Sequence, residues 1–302
     1  MSTCSRRNFL RTGLAAGALA SSGALAARTL KDLLPQAAAG GAATDWITLG
    51  NSGVKVTRLA FGTGTYSGKL QRDLGQDQFN RLIRYAYDNG VRFFETAESY
   101  TDMHRMLGIA LKGIPRDKYA LMSKITTHGD VPPQQKLDEL RKLAQTDYFD
   151  VMLLHWQHEP NWPTDSQPWE DAILRAQSDK VILGRGASVH GLPALRRFPD
   201  NQFLQIAMIR MNHKGVHMDA EDYNTSGTGN VSEVVEHVHQ VRAKGMGVIS
   251  MKLVGEGAFT TREDRQASMR FAFRNGVNSV TVGYKNTAEI DEAIQNVNLA
   301  LA

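Results

Sequence analysis

The sequence predicts an α/β protein, a (β/α)8 TIM barrel preceded by an N-terminal β-hairpin. From Asp45 onward, eight short runs of β-branched and aromatic residues alternate with segments of helical period, the pattern of βα repetition around a parallel sheet. The roughly 255 residues involved show no linker or shift in composition, and eight alternations in that length suit a closed barrel better than an open sheet. A doubly wound sheet is the alternative. It lacks support, because FGTGTYSG after the first strand offers glycines without the spacing of a dinucleotide fingerprint.

The elements follow in order. WITLGNSGVKV reads as a hairpin turning at Gly50-Asn51-Ser52-Gly53 and placed to plug the barrel floor. The expected barrel strands are VTRLAFG (56–62), VRFFETA (91–97), YALMSKI (119–125), FDVMLLH (149–155), VILGRGASV (181–189), FLQIAMIRM (203–211), GVISMKL (247–253) and SVTVGY (279–284). A helix candidate follows each. In DQFNRLIRYAYDNG, for instance, Phe79, Leu82, Ile83 and Ala86 share one face and Gly90 ends the helix.

Ahead of the barrel, residues 5–13 read SRRNFLRTG and lead into LAAGALASSGALAA, a weakly apolar, small-residue stretch ending at Ala26, which is the layout of a signal peptide. Ser5 to Leu10 resemble the twin-arginine export motif. The resemblance implies a removable segment over 1–26, recognition by the twin-arginine machinery and a periplasmic or otherwise exported product that has folded before transport. Residues 27–44, with their AAAGGAA run, read as a flexible lead-in, leaving 45–302 as the barrel.

Composition narrows the function. Of 302 residues, 42% are hydrophobic and 22% charged, which excludes a disordered or low-complexity chain. Arg6, Arg7 and Arg11 lie in the leader without any acid, so a net charge of +4 becomes +1 without it, and no phosphate-tracking surface for nucleic acid is expected. The single Cys4 excludes an internal disulfide and any cysteine-rich metal site, and it precedes the apolar stretch, wrongly placed for lipidation. No apolar run reaches the ~18 residues of a membrane span. His213 and His217 in MNHKGVHMD lack the accompanying carboxylates of a metal site, so none is expected there.

In a (β/α)8 barrel the chemistry sits at the carboxyl ends of the strands. Strand two ends in Glu95, with Tyr100 five residues on; strand three ends at Lys124 and strand four at His155. An acid, a phenol, an amine and an imidazole on adjacent strand ends form a constellation that packing does not require. FFETAESY, LMSKI and FDVMLLHW resemble the three catalytic blocks of the aldo/keto reductase superfamily, and TLGNSGVKVTRLAFGT resembles its opening hairpin and first strand. The likeness runs from about Asp45 to Asn296.

The resemblance implies hydride transfer between a nicotinamide cofactor, NADPH or NADH, and a small carbonyl or alcohol. Reduction of a carbonyl develops an alkoxide that must be protonated as it forms. Tyr100 is the expected acid, and a phenol of pKa ~10 next to the Lys124 ammonium should be drawn down. A carboxylate would keep Lys124 charged and aimed, and His155 would orient the carbonyl oxygen. The family pattern has Asp where this chain has Glu95, one methylene longer. Glu98 is the rival carboxylate, read as a solvated loop residue.

Cofactor contacts also follow from the resemblance. Ser188, at the end of strand five, matches the serine that holds the carboxamide; Met251 stands at the stacking aromatic, with Lys252 beside it; Gly255 and Gly257 allow close approach of backbone to phosphate; Lys285 and Asn286 open the adenosine-phosphate segment VGYKNTAEIDEAIQN. Val189 replaces the family amide, and Glu289 stands where many members carry an arginine for the 2′-phosphate, which keeps NAD in play. Trp156, Trp162, Trp169, His158 and His128 are candidates for an apolar substrate pocket or for packing. An alternative to catalysis, motivated by Glu95, Met251 and Glu289, is a nucleotide- or partner-binding barrel without turnover.

Overall fold

A computed structural model describes residues 40–223 and 227–302. The expected leader over 1–26 and the lead-in up to residue 39 lie outside the described residues. The remainder of the lead-in is part of the fold. Gly40 donates to the Leu301 carbonyl, Ala43 is fully buried, its N–H donates to Asn298 Oδ1 at 2.7 Å, and its carbonyl accepts from Leu59. Gly40 and Ala43 thus tie the segment just before Asp45 to the last helix and to the first barrel strand.

The hairpin forms as expected from β1 (Trp46–Thr48) and β2 (Lys55–Thr57). Its turn lies against the start of a later strand: Asn51 donates to the Gly245 carbonyl at 2.7 Å. Gly50 has φ 52°, and a β-carbon there would meet the Gly245 carbonyl at 2.3 Å, so only glycine allows this approach.

Eight parallel strands close into a barrel: β3 (Leu59–Gly62), β4 (Phe93–Glu95), β5 (Ala120–Ile125), β6 (Phe149–Gln157), β7 (Ile182–Val189), β8 (Ile206–Arg210), β9 (Gly247–Met251) and β10 (Ser279–Val282), with β10 pairing back to β3. The run expected as one strand over 56–62 is divided at Arg58 between the hairpin and the barrel. The helix Gly75–Asp88 buries the four residues its periodicity singled out, and Gly90 follows it with φ 85°.

Side chains alternate between faces of a strand, and the inner face decides the site. Ala60, Phe93, Ala120, Met122, Val151, Leu153, Ile206, Met208, Ile249 and Met251 pack together inside the barrel, and Leu49, Val54 and Val56 of the hairpin join them from below. The floor is thus apolar and plugged. Two residues further along the same inner columns stand Gly62, Glu95, Lys124, His155 and Arg210. No helix among the described residues is long and apolar enough to cross a membrane.

Candidate active site

The apolar floor ends where the inner columns turn polar, at the carboxyl ends of the strands. Lys124 is fully buried and Glu95 is 2% exposed. Register sets Glu95 beside Met122, so Lys124, two residues on along the same face, comes within reach of it. Nζ of Lys124 pairs with Glu95 Oε1, donates to the Thr96 carbonyl at 3.0 Å and lies 3.2 Å from Tyr100 Oη. Glu95 Oε2 also accepts from Thr281 Oγ1 at 3.4 Å. The structure therefore brings Glu95, Lys124 and Tyr100 into one chain of contacts.

Tyr100 sits in the loop after β4, where its amide donates to the Ala97 carbonyl. The His155 ring stands edge-on to the Tyr100 ring, with centroids 5.7 Å apart. Its Nδ1 is 3.3 Å from Ser99 Oγ, which leaves Nε2 without a partner among the described residues. β6 does not stop at His155: it continues to Gln157 through a register shift in which Trp156 takes φ 61°.

The electrostatics correct one expectation. Burial, and next the Glu95 carboxylate, hold the Tyr100 phenol well above its ordinary value, with Glu256 adding to the rise. Burial and the Glu95 carboxylate outweigh the neighbouring ammonium. Burial draws Lys124 below its ordinary value and Glu95 opposes that shift. Burial, then Lys124, push His155 well down. At neutral pH the site presents a protonated phenol and a neutral imidazole, two hydrogen-bond donors.

Glu98 is not a solvated loop residue. Its Oε2 accepts from the Thr126 amide and hydroxyl at 2.7 Å each, and its Oε1 pairs with Lys136 Nζ at 2.7 Å. It ties the loop after β4 to the loop after β5, and Lys124 falls to Glu95 alone.

The expected cofactor residues line the adjoining side of the mouth. Ser188 is buried, and its Oγ accepts from the Trp156 amide at 2.9 Å, with no acceptor for its own proton among the described residues. Met251 ends β9 on its inner face. Lys252, with φ 63°, pairs with Glu256. Gly255 and Gly257 take φ 56° and 97°, and a β-carbon at Gly257 would meet open space. Lys285 is exposed and its amide donates to Glu289 Oε2 at 2.8 Å, while Asn286 caps the helix Thr287–Leu301 by accepting from the Glu289 amide. Glu289 therefore fastens the start of this helix, its carboxylate accepting from the Lys285 amide while its own amide donates to Asn286, a structural task its alignment position did not announce.

These loops enclose a cavity of about 480 Å³ lined by Gly257, Arg265, Tyr284, Lys285, Glu289 and Glu292 among others. That is within the usual range for a small-molecule site. A concavity of about 510 Å³ lies at the opposite end, between the hairpin and Asp150, away from every candidate catalytic group.

Of the tryptophans, Trp162 packs on Phe198 and Trp169 lies under Lys136, so both are packing residues, whereas Trp156 is exposed beside His158. Among the described residues, no group of three or more His, Cys, Asp and Glu side chains is placed to hold a metal. Sequence reasoning passed over His190 and Arg210. Alternation from Ser188 carries His190 to the mouth, and a lone arginine within the apolar run 203–211 was the signal for Arg210, which is buried against Asp219 at 2.7 Å.

A family model for the aldo/keto reductase family matches residues 58–302. The chain is 29% identical over 143 residues to the methylglyoxal reductase of Escherichia coli O157:H7, a stretch covering 46% of this chain and 50% of that protein. Curated relatives of this kind are matched over about half their length or less. Among solved structures, a putative aldo-keto reductase from Pseudomonas aeruginosa superposes with a TM-score of 0.68 at 20% identity, covering 86% of this chain and 97% of the other. An aldo-keto reductase from Klebsiella pneumoniae in complex with NADPH superposes with a TM-score of 0.60 at 17% identity, covering 82% and 88%. With the family model spanning the whole barrel, the chain belongs to the aldo/keto reductase family.

Proposed function

We propose that this chain is an exported oxidoreductase that transfers hydride between NADPH or NADH and a small carbonyl or alcohol, with Tyr100 as the general acid or base. The observation that carries the reading is Lys124 Nζ held between the Glu95 carboxylate and the Tyr100 hydroxyl, 3.2 Å from Oη, at the barrel mouth above an apolar floor. When bound, the nicotinamide supplies the hydride.

The chain's own residues do the rest. The cavity of about 480 Å³, the glycine loop and the free hydroxyl proton of Ser188 fit an extended dinucleotide across the loops after β9 and β10. Around that cavity Arg265 is paired with Glu292, and Lys285 lies near Glu289, an arrangement that offers a 2′-phosphate little and supports NADH. Nε2 of His155 orients the carbonyl oxygen. The Tyr100 hydroxyl gives its proton to that oxygen as negative charge develops, and the Lys124 ammonium stabilises the phenolate left behind. Glu95 keeps Lys124 charged against the pull of burial. Residues 1–26 would take the folded, loaded protein through the twin-arginine pathway.

The test is NAD(P)H oxidation against a broad carbonyl panel, with Tyr100→Phe in parallel. The variant should fold and bind nucleotide as the parent does while losing about 10²- to 10⁴-fold in turnover. Nucleotide binding without turnover in the parent would leave a binding barrel instead, and undiminished activity in the variant would remove Tyr100 from the mechanism.

A further inference from the structure

Val280 and Val282 of β10 pack in the core that faces the helices, so Thr281 between them points into the barrel, where it is 7% exposed. Glu95 ends β4, two strands away. β3 runs between them and pairs Ala60 with Thr281 on one side and Gly62 with Glu95 on the other. Side chains two strands apart are ordinarily kept apart by one from the strand between. Here that position is Gly62. A β-carbon on it would lie 2.6 Å from Thr281 Oγ1 and 3.0 Å from Glu95 Oε2, so hydroxyl and carboxylate meet, 3.4 Å apart, in space that a side chain would fill.

We propose, resting on the oxidoreductase reading above, that Thr281 is a positioning residue for hydride transfer: its hydroxyl holds the second oxygen of Glu95 so that the first stays aimed at Lys124, and Lys124 at Tyr100. An ionised carboxylate only accepts hydrogen bonds, so Thr281 is the donor. A glutamate has one more rotatable bond than an aspartate, and a carboxylate held by one oxygen alone can swing about that contact. Two anchors stop it: Lys124 holds Oε1 and Thr281 holds Oε2. A β-branched side chain is stiff at χ1, so the hydroxyl is a fixed reference rather than another mobile group.

Packing alone does not call for this hydroxyl. Valine has nearly the same shape and stands on both sides of Thr281 in the strand. A buried hydroxyl needs a partner, and the partner here is the carboxylate that orders the site. The partners of Lys124 Nζ are Glu95, Thr96 and Tyr100, with Thr281 not among them, so an effect of Thr281 on turnover passes through Glu95.

The experiment is a double-substitution cycle. The parent, Thr281→Val, Glu95→Asp and the doubly substituted protein are compared in the reduction of 4-nitrobenzaldehyde by NADH and, separately, in denaturant unfolding, with Thr281→Ser as the conservative control. Thr281→Val should lower kcat about three- to tenfold, the range of one hydrogen bond, and leave KM and the fluorescence-measured NADH affinity within about twofold. Serine, which keeps the hydroxyl, should recover most of the loss. The shorter acid draws away from Thr281, so in the Glu95→Asp background the same substitution should lower kcat less than about twofold, and its effect on stability should shrink likewise. Equal losses in both backgrounds, no recovery by serine, or weaker NADH binding as the main effect would overturn the assignment and place Thr281 in the fold or on the cofactor. A parent that binds NADH but leaves the aldehyde unreduced would overturn the oxidoreductase reading, and the unfolding cycle would still decide whether Thr281 holds Glu95.

Discussion

A β-carbon on Gly64 would lie 2.6 Å from Tyr100 Oη and 2.8 Å from its Cζ, so the phenol occupies space that only a glycine leaves open. The obstructing atoms belong to a rigid ring, which can yield only by rotating as a whole. Gly64→Ala should move Oη away from Lys124 and lower kcat about 10- to 100-fold, the scale of an ångström-sized misplacement, with Tm changed by only a few degrees. Steady-state kinetics and thermal melting check this.

Glu95→Asp tests whether the longer acid is built in. Glu95 Oε2 reaches Thr281 and lies against Gly62, where a β-carbon would come within 3.0 Å of it. The shorter side chain draws back from Lys124. Turnover should fall about tenfold, and stability should drop by less than the ~3–5 kcal/mol of deleting one partner of a buried pair. A variant as active as the parent would mean that Lys124 follows the shorter acid.

His104 predicts the acid limb of stability. It is buried, with Nε2 2.7 Å from Ser123 Oγ, and burial, then the Lys124 ammonium, push its pKa from 6.5 to about 3. As pH falls below 6.5 the unfolded chain takes up a proton that the folded one refuses until about 3. This contribution is therefore full above 6.5 and lost progressively below it, at roughly 1.4 kcal/mol per pH unit. His104→Gln should flatten the denaturant-measured stability profile between about pH 4 and 6 by close to one proton. An unchanged slope would assign the acid limb to other groups.

Glu256 stands between the two loop glycines and pairs with Lys252, each side chain about three-quarters buried. If this loop receives a pyrophosphate, the carboxylate opposes it and occupies the lysine. Glu256→Gln should tighten NADH binding about threefold to tenfold in a fluorescence titration, less at high salt. Weaker binding would show that the ion pair shapes the loop for its ligand.

Arg6→Lys with Arg7→Lys should leave the protein in the cytoplasm, since Ser5 to Leu10 match the twin-arginine pattern. Fractionation and immunoblotting check this, and unaltered export would remove that route.

The barrel and the core of the site were legible because both depend on local periodicity. Alternation of apolar residues marks the strands, and a polar residue closing such a run must come to the mouth, as Glu95, Lys124 and His155 do. The same rule reaches His190 only after β7 is known to keep its inward face past Val189, which depends on its pairing with β6 and β8. Trp162 and Trp169 look in sequence like Trp156, yet the bulge turns only Trp156 outward.

By itself the sequence determined which elements form, in what order, and which strand ends carry titratable groups, since those follow from period, composition and the obligatory position of loops. The tertiary structure decided what each group faces. Glu95 rather than Glu98 meets Lys124 because strand register, not spacing, sets which carboxylate enters the barrel. The Tyr100 phenol is held up rather than drawn down because burial and the Glu95 carboxylate outweigh a neighbouring ammonium, a balance that exists only once three strands and a loop have come together.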